Sequence, residues 1–338
     1  MQWQSWLRDD SLSWLLEPET PGVRYLALRD LLDRPPSDSE LLTARRAAHQ
    51  LGPIATALDA MEPEGYWVKP GAGYSPKYRS TVWSVMLLAQ LGASPQEDAR
   101  VAAACEYLLE HTLTPTGQFG ANGRPSDTFD CLQGNLAWSL LELGCDPVRL
   151  EAAYDWIARS VTGEQIASAD ETDAAVRYYG QKCGPGFMCG NNDGEACAWG
   201  CIKVLLALTR WPPKRNTPML ERARRRAIEL LLSIDPATAD YPRRAGSNIH
   251  RAWWRFGFPL DYRADLLQLV EALALAIHGT DPRLANALDL ILSKQDADGR
   301  WPLAYGQAGK VWGDYGAKGQ PNKWVTLRAL RTLKAVAT

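Results

Sequence analysis

Apolar positions along the 338-residue chain recur three and four residues apart, and no stretch shows clean period-two alternation. That periodicity predicts helices almost throughout. The pattern and its end signals place helices over 21–33, 37–51, 78–91, 95–111, 131–143, 147–160, 196–209, 219–233, 264–277, 282–294 and 322–336. Thr20 followed by Pro21 reads as an N-cap with proline at the first helical position. Ser37-Asp-Ser-Glu40 reads as a capping box.

The helices come in similar pairs. Leu91-Gly-Ala-Ser-Pro95, Leu143-Gly-Cys-Asp-Pro147 and His278-Gly-Thr-Asp-Pro282 each stop one helix with glycine and start the next near proline. Three further turns match one another: Gly65-Tyr-Trp67, Gly117-Gln-Phe119 and Gly299-Arg-Trp301. The helices that follow such turns, or the long loops, start near positions 79, 131, 197, 264 and 323. Those spacings are too uneven for an open solenoid of strict period. They suit a closed set of helical hairpins with loops of varying length.

Gln295-Asp-Ala-Asp-Gly-Arg-Trp301 resembles the Q-x-x-x-G-x-W repeat of squalene and terpenoid cyclases and protein prenyltransferase β-subunits. The segments around Pro76–Trp83, Cys131–Asn135, Cys197–Gly200, Trp254–Pro259 and Asn322–Arg328 look most like single-toroid bacterial members of that superfamily. The resemblance implies an all-α fold, an α/α toroid with an N-terminal helical extension. Residues 1–338 then form one toroid domain, with 1–60 as helices packed on the ring. In that superfamily the glutamine caps a helix end, the glycine turns and the tryptophan packs, so Trp301 is expected to be structural. The resemblance further implies a central, aromatic-lined cavity for a small or isoprenoid-like molecule. It does not transfer a reaction. Asp127-Thr-Phe-Asp130 lacks the paired acids of the D-x-D-D proton donor, and Asp9-Asp10 does not match the D-D-x-x-D diphosphate motif.

Composition narrows the function classes. Lys and Arg number 37 against 39 Asp and Glu, a formal charge of -2, which argues against a nucleic-acid partner. No run of about 18 apolar residues is present, so no membrane span is expected. The start has no apolar secretory core, which points to the cytoplasm. Seven cysteines without an export signal suggest free thiols or a metal site.

Inner-helix N-termini offer unpaired N–H groups that favour thiolates and other anions. Cys131 and Cys197 open two such helices, and Cys183 and Cys189 flank a Gly-Pro-Gly turn between them. These four are the candidate zinc ligands. With three of them bound, Asp130, Glu195 or His250 is placed to complete the site, and these are the candidate catalytic groups. Buried structural thiols are the alternative. Cys105 and Cys145 fit that alternative. Candidate substrate-binding residues are Tyr78, Arg79, Trp83, Asn135, Trp199, Trp254, Arg255, Phe258, Asp265, Lys323 and Trp324. Lys77, Lys203 and Arg263 join the cations placed near the mouth, where they can meet a phosphate or carboxylate. His49, His111 and His278 sit at helix ends and read as surface or cap residues. Two functions follow: a zinc enzyme acting on a small molecule in the cavity, or a noncatalytic ligand-binding or scaffold toroid with a structural zinc.

Overall fold

The computed structural model describes residues 2–179, 182–277, 279 and 281–338. It is all-helical, and among the described residues β pairing is confined to isolated bridges. The helices are α1 (Ser11–Leu15), α2 (Pro21–Asp30), α3 (Ser39–Gln50), α4 (Pro53–Asp59), α5 (Thr81–Leu91), α6 (Arg100–Thr112), α7 (Asp130–Glu142), α8 (Glu151–Thr162), α9 (Ala198–Arg210), α10 (Pro218–Leu232), α11 (Leu266–Ile277), α12 (Ala285–Ser293) and α13 (Lys323–Val336). None is long and apolar enough to cross a membrane. The sequence pattern missed α1 and α4, which are too short to show a full amphipathic repeat.

Two helix starts differ from expectation. Asp38, not Ser37, caps α3, its carboxylate accepting from Leu41 N–H at 2.9 Å. Thr20 occupies the N-cap of α2 but makes no side-chain cap bond, so Pro21 alone marks that start. His49 is buried and not a surface residue. Its Nδ1 lies 2.8 Å from the Arg45 carbonyl, and its Nε2 accepts from Ser94 N–H at 2.9 Å, pinning α3 to the turn after α5. His111 stacks on Tyr107 with ring centroids 3.9 Å apart. His278 lies outside the described residues.

Six helices form the interior. α5 packs on α7, α7 on α9, α9 on α11, α11 on α13, α13 on α2 and α2 on α5. Helices α3, α4, α6, α8, α10 and α12 lie against this inner group. All but one residue of α5 is buried, as a helix enclosed on every side requires. By contrast α8 and α10 bury one stripe each.

The three Gly-x-aromatic turns share one construction. Gly65, Gly117 and Gly299 have positive φ (98°, 96° and 69°), which a side chain rarely tolerates. At each glycine a Cβ would strike the backbone of a neighbouring element: Ala103 O, Ala152 O and Asp9 O at 3.0, 2.2 and 2.8 Å. Two residues on, Trp67, Phe119 and Trp301 are fully buried. Their backbone N–H groups donate to a polar side chain near the start of the next inner helix: Thr81, Gln133 and Thr326 at 3.2, 2.8 and 2.9 Å. In the first two turns the glycine rests on the following outer helix, α6 or α8. In the last it rests on the N-terminal segment, whose Trp6 carbonyl accepts from Gln295 Nε2 at 3.1 Å. The N-terminal residues thus take the place an outer helix holds elsewhere.

The tightest contact is between α7 and α9. A Cβ on Gly134 would lie 2.2 Å from the Lys203 carbonyl carbon and 2.4 Å from Val204 N, and one on Gly200 would lie 2.9 Å from Asp130 Cβ.

Gly134→Ala should therefore force α7 away from α9 and cost at least about 1–3 kcal/mol, the usual range for overpacking, measured by urea unfolding. Trp301→Ala should cost about 3–5 kcal/mol in the same assay, since Trp301 is fully buried and its Nε1 donates to the Ile291 carbonyl at 2.9 Å.

Candidate functional site

A cavity of about 470 Å³ lies between the six inner helices. It is lined along these helices toward their C-terminal ends, from Asp30 on α2, Gln90 on α5, Asn135 to Glu142 on α7, Lys203 to Arg210 on α9, Gln268 to Leu275 on α11 and Arg328 to Lys334 on α13. The sequence reading placed the site at the other end, around the helix N-termini. That end is filled by loops. Phe258 stacks on Trp324 with centroids 4.6 Å apart, and Trp312 Nε1 donates to Ser84 Oγ at 2.8 Å. Phe258 and Leu260 form the cavity floor.

Polar and apolar groups share the lining. Only Trp138 and Phe258 among the lining residues are aromatic, which corrects the expected aromatic-lined cavity. Near the opening, the charges pair with one another. Glu142 accepts from Arg29 at 2.9 Å and lies 3.0 Å from Arg210. Asp30 bonds Arg29 and Arg331, and Lys334 meets Asp33 at 2.6 Å. Burial opposes ionisation of Asp30, but Arg331 and Arg29 overcome it and hold the carboxyl down to about 2. Deeper, Arg328 grips both oxygens of Asp265 at 2.8 and 2.7 Å and also donates to the Gly257 carbonyl at 2.7 Å.

Lys203 stands apart. It is 2% exposed, and among the described residues it makes no side-chain hydrogen bond or ion pair. Burial pushes its ammonium down to about 8, against the raising effect of Asp261 and Asp265. Asn135, Ser139 and Glu271 also line the cavity with no side-chain partner among the described residues, and Gln268 Oε1 is buried and unbonded. Burial pushes the Glu271 carboxyl up, with Arg331 opposing. Unpaired buried polar groups cost free energy unless something meets them. Their grouping around one cavity makes it the candidate binding site.

Of the expected substrate-binding residues, Asn135 and Phe258 line this cavity, and Asp265 is held beside it by Arg328. The others lie elsewhere. Tyr78 and Trp83 pack edge to face at 5.1 Å. Arg79 donates to the Gly309 carbonyl and covers Trp312. Trp199 meets the His250 ring, and Trp254 Nε1 donates to the Ala237 carbonyl. Lys323 pairs with Glu17 at 2.7 Å, and Trp324 is core. Arg255 is half-buried outside the cavity lining. Most of these rings serve packing, because the long loops must bury an apolar side against the helix ends.

The three candidate catalytic groups do not converge on the cavity. Asp130 is 6% exposed at the start of α7, and its Oδ2 has no partner among the described residues. Burial, then the Cys189 thiolate, pushes this carboxyl up to about 8. Glu195 is exposed in a loop, its carbonyl accepting from Cys189 N–H. His250 is exposed and caps a short turn, accepting from Ala252 N–H at 3.2 Å.

The cysteines gather in the same region as Asp130. Cys189 and Cys197 flank the bridge Met188–Ala196, and the Cys197 thiol donates to Cys189. That bond holds the Cys189 thiol down to about 6. Burial pushes Cys131 up to about 12 and Cys183 well above its ordinary value. Cys201 is core, its thiol donating to the Ala227 carbonyl at 3.4 Å. Cys105 and Cys145 face each other, as structural thiols do. Among the described residues no group of three or more His, Cys, Asp or Glu is arranged to hold a metal ion. Cys131, Cys183, Cys189 and Cys197 share this region without forming such a group as placed.

Asp130 supplies a pH prediction. A carboxyl raised in the folded state binds its proton more tightly there than in the unfolded chain. Its contribution to stability is thus present below the ordinary carboxylate range and lost as pH rises toward about 8. Asp130→Asn should lose less stability between about pH 5 and 8 than the parent, in urea unfolding across that range.

No family model matches the chain, and no curated protein matches it. Among solved structures, it is similar to an alanine mutant of a Family 10 polysaccharide lyase from Cellvibrio cellulosa in complex with trigalaturonic acid. The identity is 14%, over 69% of this chain and 82% of that one, with a TM-score of 0.33. A likeness that weak carries no argument about fold or function.

Proposed function

We propose that the protein is an α/α toroid of the terpenoid cyclase and prenyltransferase type that binds, and acts on, a small polar molecule bearing an anionic group. The successive inner-helix contacts from α2 round to α13 and back support the toroid. So do the three matched glycine–aromatic turns. The observation that carries the ligand reading is Lys203, a buried cation that makes no ion pair among the described residues, in a cavity large enough for a small molecule. An anionic ligand supplies the missing partner. Hydroxyl or amide groups on the ligand meet Asn135, Ser139, Gln268 and Glu271.

An isoprenoid tail is the weaker candidate. It would cover these polar groups without bonding them, and each covered group costs free energy. Zinc has no part in this proposal. The toroid as a scaffold alone is disfavoured by the same unpartnered groups, which a scaffold has no reason to bury.

The test is Lys203→Met. Stabilisation of the protein by its anionic ligand, sought among co-purified molecules by native mass spectrometry and then added back in thermal unfolding, should weaken. Loss of one charged hydrogen bond, about 1.5–3 kcal/mol, corresponds to roughly 10- to 100-fold in affinity. The unliganded variant should unfold at a higher temperature than the parent, because a lone buried charge has been replaced by an apolar side chain. Unchanged ligand affinity in Lys203→Met would rule the proposal out.

A further inference from the structure

We infer that Lys203 is a nucleophilic amine that condenses with the carbonyl of an anionic aldehyde or ketone and holds it as an imine in the central cavity. This rests on the ligand reading above and names its substrate class.

An amine attacks a carbonyl only when uncharged and unhindered. Most buried lysines fail that condition because a carboxylate holds their proton. Of the cavity's carboxylates, Glu271 alone has no partner among the described residues, and burial favours its neutral form; the others are engaged elsewhere. Asp265 gives both oxygens to Arg328. Asp261 is taken by Arg263 and by Gln307 Nε2 at 2.8 Å. Asp30 and Glu142 are taken by Arg29, Arg331 and Arg210, and Asp33 by Lys334. The arginines cannot deprotonate and are no nucleophiles. Among the basic groups of the lining, Lys203 is the one with neither a counter-ion nor a hydrogen bond among the described residues. The groups around its amine are Asp261, Asp265, Arg328 and Cys131, and their effects partly cancel while burial favours the neutral form.

The cavity also sets the shape of the partner. Leu206 and Arg210 lie three and seven residues after Lys203 and line the same cavity, so they continue its stripe along α9. Seven residues of helix rise about 10 Å. A molecule whose carbonyl condenses at Lys203 keeps its anionic group beside the iminium charge, and any longer chain extends along that stripe. Its middle passes Asn135, Ser139 and Gln268, which can bond hydroxyl groups.

The step balances within the two reactants. The nitrogen lone pair forms the new bond to the carbonyl carbon, and the π pair moves to oxygen. That oxygen takes two protons from nitrogen and leaves as water, and the C=N bond forms. Starting from the ammonium, the imine keeps one proton, so charge is conserved and no oxidant or reductant enters.

The experiment uses the full chain with succinic semialdehyde, a short aldehyde with a carboxylate at its far end, and cyanoborohydride to fix any imine as a secondary amine. The result expected is one adduct per chain, mapped to Lys203 by peptide mass spectrometry. Its rate should rise with pH and level off near 8, where Lys203 titrates. Lys203→Arg keeps the charge but cannot form an imine, and Lys203→Met loses both. Both should lose the adduct. In Lys203→Arg, stabilisation by the corresponding alcohol, which cannot condense, should survive. Labelling confined to surface lysines, with the alcohol still stabilising the parent, overturns the imine and leaves the anion reading standing. Surface labelling with no stabilisation by the alcohol overturns both.

Discussion

The close approach of α7 and α9 is the constraint on which the rest of the interior depends. Gly134 lets the α7 backbone touch the backbone at Lys203 and Val204, and Gly200 lets α9 return the contact at Asp130. One pair of missing side chains thereby sets three things. It places Asn135 on the same wall as Lys203. It buries the first turn of α7, which strips water from Asp130. It brings the N-terminus of α9, with Cys197, close to that of α7, with Cys131. The cavity and the thiol region are thus two ends of a single helix pair, and a change in its spacing is felt at both.

Elements with a local cause were legible in the sequence. The glycine–aromatic turns were, because a left-handed glycine, a buried ring and a following polar residue all fall within a short stretch, as in Gly65–Trp67 and Gly299–Trp301. The helices were, wherever proline or glycine marked an end. Lys203 was legible as one of several cations near the helix starts. What set it apart was not. Its isolation depends on where Asp261, Asp265, Glu142 and Asp30 find partners, and those partners are 1 to more than 300 positions away along the chain, as with Arg29 and Arg331 for Asp30. One signal was present: a lone lysine in the apolar run Gly200-Cys-Ile-Lys-Val-Leu-Leu-Ala-Leu208 has no water to reach and needs some other solvation.

The placement of the cavity at the other end of the helices has a similar origin. Helix N-termini attract anions through partial charges that any sequence can reveal. Whether that end is open is decided by the loops, and the loops carry their own rings and donors to fill it, as Phe258, Trp312 and Trp324 do. The cysteines pose a comparable question. Their spacing allows convergence, but Cys189 and Cys197 satisfy each other, and a thiol already sharing its proton has less need of a cation.

The cavity runs toward the C-terminal ends of the inner helices, so their carbonyl ends lie near its entrance. Each such end carries about half a negative charge, and six together would turn away any incoming anion. The arginines at 29, 210 and 331 sit in that collar and are shared among fewer carboxylates than they could hold. The entrance then behaves as a compensated electrostatic gate, near neutral in sum but made of large opposed parts. Its permeability to charge is set by small imbalances, which makes entry responsive to ionic strength in a way that the closed floor beneath Lys203 is not.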